Sequence, residues 1–176
     1  MKTLYRKHRD LFNRLFYAAV LFGAGVAGAV PPEVLQFAGL ALALQYSVKL
    51  RTDKMAAIET SVGAAPILEL RVGSPPADCV TVASGALLAQ GALPSDWLAV
   101  AAAGAVAKTG TWQVTGLTAG NIGYFRIYEP GSPSACHMQG TVTATGGGGD
   151  MTVDNIAIAA AQVVTVNTFT LTAGNQ

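Results

Sequence analysis

The spacing of apolar residues changes at Gly63, and this change constrains the fold more than any other feature of the chain. Before Gly63, apolar side chains recur at the three- and four-residue intervals of a helix. After it, they occur in short runs separated by residues that favour turns, above all glycine and proline. The sequence therefore predicts a helix followed by a β domain.

The helical interval predicts an amphipathic helix that ends near Gly63, since glycine commonly follows the last helical residue. Arg51 is the one polar residue on its apolar face. We consider two roles for this face: packing on the following domain, or forming a contact between subunits. The residues of the candidate contact face are Leu44, Val48, Met55, Ile58 and Val62.

The β-type runs after Gly63 include an alternating segment, 67–72, with Leu68 and Leu70 on one face and Glu69 and Arg71 on the other. Such alternation is typical of a half-buried strand. The predicted strands are 67–72, 80–83, 87–92, 111–115, 123–128, 137–143, 151–153 and 163–171. Segment 94–103 is either a short helix or an extended crossing, of which we favour the second.

Helix-length amphipathic segments are missing between these strands, which argues against a parallel βαβ fold. The sequence instead predicts a mainly β fold. We expect an antiparallel β-sandwich of the jelly-roll or immunoglobulin-like kind, preceded by the helix, with an open barrel as the alternative. The predicted organisation is an extension over 1–44, a helix over 45–63 and a β domain over 64–176.

Residues 1–44 have a different character. A basic segment, 1–14, precedes sixteen uncharged residues, 15–30, and Pro31 and Pro32 follow. Ala27-Gly28-Ala29 has the small-x-small form of a signal-peptidase site. Four interpretations remain: a cleaved export signal, a membrane helix or hairpin, an arm buried in an assembly, or a start codon assigned too early.

Composition limits the classes of function. Charged residues make up 12% of the chain and apolar residues 51%, which excludes a disordered, highly charged protein. The formal net charge of +1 provides no argument for a nucleic-acid partner. The four glycines 146–149 permit a wide hairpin or a close approach by another chain. Because neither Lys-Ser/Thr nor a helix follows them, a phosphate-binding loop is not predicted.

Reactive residues are few. Cys136 and His137 are adjacent, but neighbouring strand residues point to opposite faces, so they do not form a nucleophile and base. Cys79 and Cys136 either form a disulfide in an oxidising environment or remain two small buried residues. We predict no catalytic, cofactor-binding or metal-binding residue.

Two weaker patterns have structural explanations. Asp150, Asp154 and Asn155 offer oxygen ligands near the glycine run, but their spacing fits no calcium loop. The aromatic residues suit either a sugar-binding surface or core packing, and strand alternation favours the core. These aromatic residues are Trp97, Trp112, Tyr124, Phe125 and Tyr128.

Residues 45–176 resemble a family of small virion-associated proteins of tailed bacteriophages. The segments that carry the resemblance are 45–51 (QYSVKLR), 56–60 (AAIET), 68–73 (LELRVG) with Pro75 and Cys79, 93–97 (LPSDW), 110–112 (GTW), 125–127 (FRI), 136–140 (CHMQG), 145–155 (TGGGGDMTVDN) and 169–175 (FTLTAGN). Relatives in that family usually begin close to Gln45. The resemblance therefore favours an assembly arm or an early start codon for residues 1–44.

The resemblance implies a non-enzymatic structural protein of the virion, without a cofactor. Its expected partners are other copies of itself and the major capsid or tail proteins, and the expected role is capsid decoration. A tail- or fibre-associated role is the first alternative. Two others are an exported carbohydrate-binding module, released after cleavage behind Ala29, and a protein anchored in the membrane by residues 15–44.

Overall fold

The computed structural model describes residues 44–131 and 135–174. These residues form one helix and ten strands. In chain order the elements are α1 (Val48–Val62), β1 (Ile67–Arg71), β2 (Leu87–Ala92), β3 (Ala105–Ala107), β4 (Trp112–Gly116), β5 (Gly120–Asn121), β6 (Tyr124–Tyr128), β7 (Cys136–Ala144), β8 (Met151–Val153), β9 (Ala157–Ile158) and β10 (Val163–Thr172). The predicted mainly β fold with a preceding helix is confirmed.

Seven of the strands close into a barrel, so the predicted β-sandwich is wrong. Their order is β10-β4-β2-β1-β6-β7-β8, and β8 pairs with β10 again to complete the circle. All neighbours are antiparallel except β7 and β8. The short β3 adds to the Thr170–Thr172 end of β10, and β5 pairs separately with β9.

Strand β10 closes the barrel because its two edges bind different partners. Val163–Val166 pairs with β4, while the stretch from Val166 to Phe169 pairs with β8. The register with β8 shifts between Val166 and Thr168. This irregularity changes which residues face inward, so that Val164, Val166 and Phe169 are all buried.

The barrel interior is filled by one continuous apolar cluster. Trp112 and Phe169 lie at its centre, with ring centroids 5.2 Å apart, and Phe125 meets Phe169 edge-on at 5.6 Å. Trp97 extends the cluster, 5.8 Å from Trp112, and its indole N–H donates to the carbonyl oxygen of Gly63 at the end of α1. These contacts join the helix to the barrel core.

The connection between the parallel strands β7 and β8 is unusually short. Val142 to Ala144 pair with Met151 to Val153, so only residues 145–150 lie between the two paired segments. Parallel neighbours usually require a crossover of a dozen residues or more. The glycine run makes the short path possible, since a Cβ atom on Gly147 would lie 2.5 Å from Thr143 Oγ1 and one on Gly149 would lie 2.9 Å from Thr143 N.

Helix α1 ends where its sequence predicts, but it begins at Val48, three residues later than the predicted start at 45. The Ser47 hydroxyl oxygen caps it by accepting from the N–H of Leu50 at 3.2 Å, and Gly63 follows its last residue. The Glu59 carboxylate accepts from the N–H groups of Trp97 and Leu98, at 2.7 and 3.3 Å. These hydrogen bonds fix the segment after β2 beneath the helix, in the extended conformation that we favoured for 94–103.

Seven of the eight predicted strands are confirmed. They correspond to β1, β2, β4, β6, β7, β8 and β10. The predicted strand 80–83 is wrong, because these residues belong to the loop between β1 and β2. The short strands β3, β5 and β9 were not predicted.

The predictions for the extension, including the signal sequence and the membrane segment 15–44, concern residues that, apart from Leu44, lie outside the described part. Within residues 44–131 and 135–174, no helix is both long enough and apolar enough to span a bilayer.

Candidate functional site

A row of four polar side chains crosses the outer surface of the barrel. Strand register places Gln90 of β2 opposite Glu69 of β1, Glu69 opposite Arg126 of β6, and Arg126 opposite Gln139 of β7. Gln90 Nε2 donates to Glu69 Oε1 at 3.2 Å, and Arg126 Nε donates to Gln139 Oε1 at 3.0 Å. We call these four residues the polar row.

The two charged members of the row are almost completely buried. Glu69 is 3% exposed and Arg126 is 2% exposed, although both lie on the outward face of their strands. Burying a charge is costly unless partners replace the water that it loses. Besides Gln139, the partners of Arg126 come from the loop between β1 and β2, residues 72–86, which we call the covering loop.

The polar row binds the covering loop through the loop's carbonyl oxygens. Arg126 Nη2 donates to the carbonyl oxygens of Asp78 and Thr81, at 3.1 and 2.8 Å. Gln139 Nε2 donates to the carbonyl oxygen of Pro76 at 2.6 Å. The guanidinium and the amide thus hold the middle of the loop against the barrel.

Two more side chains of the barrel hold the far end of the loop. The Tyr124 hydroxyl donates to the carbonyl oxygen of Ser84, and Arg71 Nη1 donates to that of Gly85 at 3.1 Å. Arg71 Nε also forms a salt bridge with Glu69 Oε2 at 2.8 Å. The Glu69 carboxylate is therefore paired with Arg71 of the same strand, and the Nη2 group of Arg126 donates to the loop instead.

A disulfide between Cys79 and Cys136 links the covering loop to the start of β7. The two Cα atoms are 5.2 Å apart, and 57 positions separate the cysteines in the chain. Of the two states that the sequence left open, the structure has the bonded one. Neither cysteine is a free thiol, so Cys136 and the exposed His137 cannot act as nucleophile and base.

Two ionisable groups at this site have shifted pKa values. The backbone N–H and the hydroxyl of Thr81 both donate to the Asp78 carboxylate, at 2.7 and 2.8 Å, and they lower its pKa. Burial raises the pKa of Tyr128, which lies on the outward face of β6 beside Arg126. Asp78 is ionised at neutral pH, and the lowered pKa extends to more acidic pH the range in which its carboxylate accepts both Thr81 donors.

The covering loop presents apolar side chains to solvent. Val80 is 93% exposed and Val82 is 86% exposed. They flank Thr81, whose carbonyl oxygen Arg126 binds, and Val80 follows the disulfide-bonded Cys79. Two valines are therefore displayed at fixed positions on a loop that is anchored on both sides of them.

The candidate contact face of α1 divides into two halves. Met55 and Ile58 pack against the barrel core, and Val62 is buried in it. Val48, the first residue of the helix, is 54% exposed. Leu44 is 65% exposed and lies before the helix begins, so its predicted place on the helix face is wrong. The C-terminal part of the face therefore packs on the β domain, and Val48 at its N-terminal end faces solvent.

The possible calcium ligands are used within the chain. The Asp150 carboxylate accepts from the N–H and the hydroxyl of Thr141, both at 2.8 Å, and this lowers its pKa. Asp154 Oδ1 accepts from the N–H groups of Asn155 and Thr165. Among the residues that the structure describes, no group of three or more histidine, cysteine, aspartate or glutamate residues is placed to hold a metal ion.

The five aromatic residues that suit a sugar-binding surface are all buried. The preferred interpretation, core packing, is confirmed for Trp97, Trp112 and Phe125, which belong to the apolar cluster or its aromatic contacts. Tyr124 and Tyr128 face outward from β6 and are buried beside the polar row. No flat aromatic surface remains for a sugar ring at these positions.

Sequence reasoning missed the polar row. Alternation placed Glu69 and Arg71 on the mixed face of β1, as expected for a strand with one face in water. Arg126, inside the otherwise apolar and aromatic run YFRIY, was the available sign that the outward face of β6 is also covered. Without the register between strands, nothing indicated that the charged residues meet.

Comparisons with known proteins identify no relative. No protein-family model matches the chain, and no curated protein or solved structure shows significant similarity to it.

Proposed function

We propose that the protein is a non-enzymatic structural component of a bacteriophage particle, most specifically a capsid decoration protein. Its partners are then other copies of the same chain and the major capsid protein. The virion setting comes from the resemblance of residues 45–176 to small virion-associated proteins. The contact role is supported above all by one observation, the exposure of Val80 and Val82 on an anchored loop.

Anchoring makes these valines suitable for recognition. Binding through a flexible loop loses affinity to the entropy of ordering that loop, whereas a loop already held in place avoids most of this loss. Arg126, Gln139 and the disulfide hold the covering loop before any partner arrives. The buried cores of protein interfaces contain few charged residues, and the uncharged side chains of Val80 and Val82 suit such a core.

The start of α1 supplies a second exposed apolar side chain. Val48, the first residue of the helix, is 54% exposed. Repeated weak contacts suit a decoration protein, because many copies on one particle bind with higher avidity than each copy does alone. The closed barrel also favours contacts through side chains, since its seven strands are all paired on both edges.

A second candidate is an exported β-domain binding module, and the disulfide favours it. Disulfides persist mainly in secreted, periplasmic and surface proteins. The burial of the five aromatic residues weakens the carbohydrate-binding version of this proposal. A tail- or fibre-associated virion protein remains the alternative within the first proposal.

Quantitative mass spectrometry of purified phage particles tests the proposal. The particles are those of the phage whose genome encodes this chain, and peptide amounts are measured relative to the major capsid protein. Copy numbers close to that of the capsid protein are expected for decoration. A few copies per particle would reassign the protein to the tail, and its absence from the particle would overturn a virion role.

A pair of variants tests the contact surface itself. Val80→Asp together with Val82→Asp places charge on the covering loop, and Val163→Asp is the matched control on the half-exposed start of β10. We expect the loop variant to fold normally but to be lost from purified particles, while the control is retained. Equal retention of both variants would exclude the two valines as the contact.

A further inference from the structure

Apart from its disulfide, the covering loop is held to the barrel by hydrogen bonds rather than by apolar packing. Its hydrogen bonds with the polar row and its neighbours use loop carbonyl oxygens as acceptors. Carbonyl oxygens are readily solvated, so each of these bonds has a good replacement in water. The loop also has little apolar anchorage, because Val80 and Val82 point into solvent.

The barrel core does not depend on the loop. None of the residues in the continuous apolar cluster lies between 72 and 86. The buried rings Trp97 and Trp112 pack against Phe169 and α1 instead. Release of the loop therefore leaves the interior of the barrel intact.

The disulfide is placed to control that release. Cys79 lies between Asp78 and Thr81, the two residues whose carbonyl oxygens bind Arg126, and Cys136 belongs to a barrel strand. Both cysteines are partly exposed, so a reductant can reach them. Beneath the loop lies the guanidinium of Arg126, which is almost completely buried, and Glu69, 3% exposed, is its neighbour in the strand register.

We propose that the covering loop is a redox-controlled strap, which the Cys79–Cys136 disulfide holds closed over the polar row and which reduction opens. A dithiol reductant supplies the chemistry. One of its thiolates attacks a cysteine sulfur, breaks the S–S bond and forms a mixed disulfide, and its second thiol then displaces the remaining cysteine. The protein gains two electrons and two protons, and the reductant becomes a cyclic disulfide.

Opening has a defined structural consequence. Arg126 exchanges the carbonyl oxygens of Asp78 and Thr81 for water, and Glu69 becomes accessible beside it. The reduced protein then exposes the polar row, whose side chains are held in place by strand pairing, while Val80 and Val82 lose their fixed positions. The two redox states thus expose different surfaces of the same fold.

Chemical modification of Arg126 by phenylglyoxal measures the opening. The full chain is compared before and after treatment with dithiothreitol and alkylation of both cysteines, and the modified peptide is quantified by mass spectrometry. Acrylamide quenching of Trp97 and Trp112 fluorescence reports on the barrel in the same samples. We expect Arg126 to react about tenfold faster or more after reduction, as for local opening, with tryptophan quenching unchanged.

The double variant Cys79→Ser, Cys136→Ser provides the matched control. It should show fast modification of Arg126 without reductant and no further change when dithiothreitol is added. If this variant does not fold, reduction of the original protein under native conditions still decides the question. Slow modification of Arg126 after complete alkylation overturns the proposal, and so does joint exposure of Arg126 and the tryptophans.

Discussion

Replacing glycines within the 146–149 run tests why β7 and β8 can run parallel with so short a connection. An added Cβ on Gly147 would lie 2.5 Å from Thr143 Oγ1 and 2.6 Å from Thr143 Cβ. Because Thr143 of β7 is held by its pairing with Thr152 of β8, the backbone of the connection has to shift instead. On Gly148, the adjacent residue, an added Cβ has no other atom within 4 Å.

The two substitutions should change stability in opposite directions. Forcing a methyl group into a filled site costs about 1–3 kcal/mol, and a glycine-to-alanine change recovers about 0.4–1 kcal/mol by restricting the unfolded chain. We expect Gly147→Ala to lower the free energy of unfolding by about 1–2 kcal/mol. Gly148→Ala should leave it unchanged or raise it by about 0.5 kcal/mol.

Urea denaturation followed by tryptophan fluorescence is a suitable assay, since Trp97 and Trp112 are buried in the core and distant in sequence from the substitutions. With a urea dependence of about 1–3 kcal/mol per molar, the midpoints of the two variants should differ by about 1 M. Coincident midpoints would refute the close approach of the connection to Thr143. A Gly148→Ala variant less stable than Gly147→Ala would refute it as well.

Three further predictions concern single residues. Ala103 has a positive φ of 52° in a two-residue turn, so Ala103→Asn should raise the free energy of unfolding by about 0.5–1 kcal/mol in urea denaturation, and a decrease would contradict this reasoning. Asp150→Ala removes two hydrogen bonds from Thr141 and should cost about 1 kcal/mol at pH 7. Because folding lowers the pKa of Asp150, the difference in free energy of unfolding between variant and original protein should be complete above a pH of about 4. It should disappear as the pH falls through the pKa of the folded state. A difference that does not depend on pH would contradict this prediction. Arg126→Met should cost about 3 kcal/mol, measured by thermal unfolding, since it removes the buried donor to the covering loop; an unchanged midpoint would show that the loop does not need it.

The individual strands were predictable because alternation and turn residues are local features. The last strand illustrates both the success and the limit. Its alternation is imperfect in the sequence, since Phe169 is out of phase with Val164 and Val166. The structure explains the irregularity as a register shift between Val166 and Thr168, at the place where β10 leaves β4 and continues along β8.

Closure of the barrel was not predictable, because it depends on pairing between strands that are far apart in the chain. A sandwich and a barrel can be built from the same strands, and the difference is whether the strands at the two ends of the sheet, here β10 and β8, pair with each other. Similarly, the valines of 80–83 suggest a strand by their β propensity, but they lie in a loop that is held by side chains from β6 and β7. These outcomes depend on contacts between residues far apart in the chain.

The candidate site was predictable in part. The cysteine pair was identified with its bonded and unbonded states both open, and the helix face was identified without a means to divide it. Val48 differs from Met55 and Ile58 only in what it reaches: Met55 and Ile58 contact the barrel core and Val48 does not. Leu44 has helical spacing but lies before the helix begins. Helical spacing alone carries no information on where the neighbouring domain ends.

The position of β10 also determines when the protein can fold during its synthesis. This strand contributes Val164, Val166 and Phe169 to the core and joins β4 to β8, so a growing chain that still lacks it has an open sheet with two unpaired edges. Such edges invite pairing with other chains. Folds with many contacts between distant residues also form slowly, in about milliseconds to seconds. Each nascent chain therefore passes through an interval in which β1 to β8 have been synthesised but the barrel cannot close, and during that interval the edges of β4 and β8 are open to other chains.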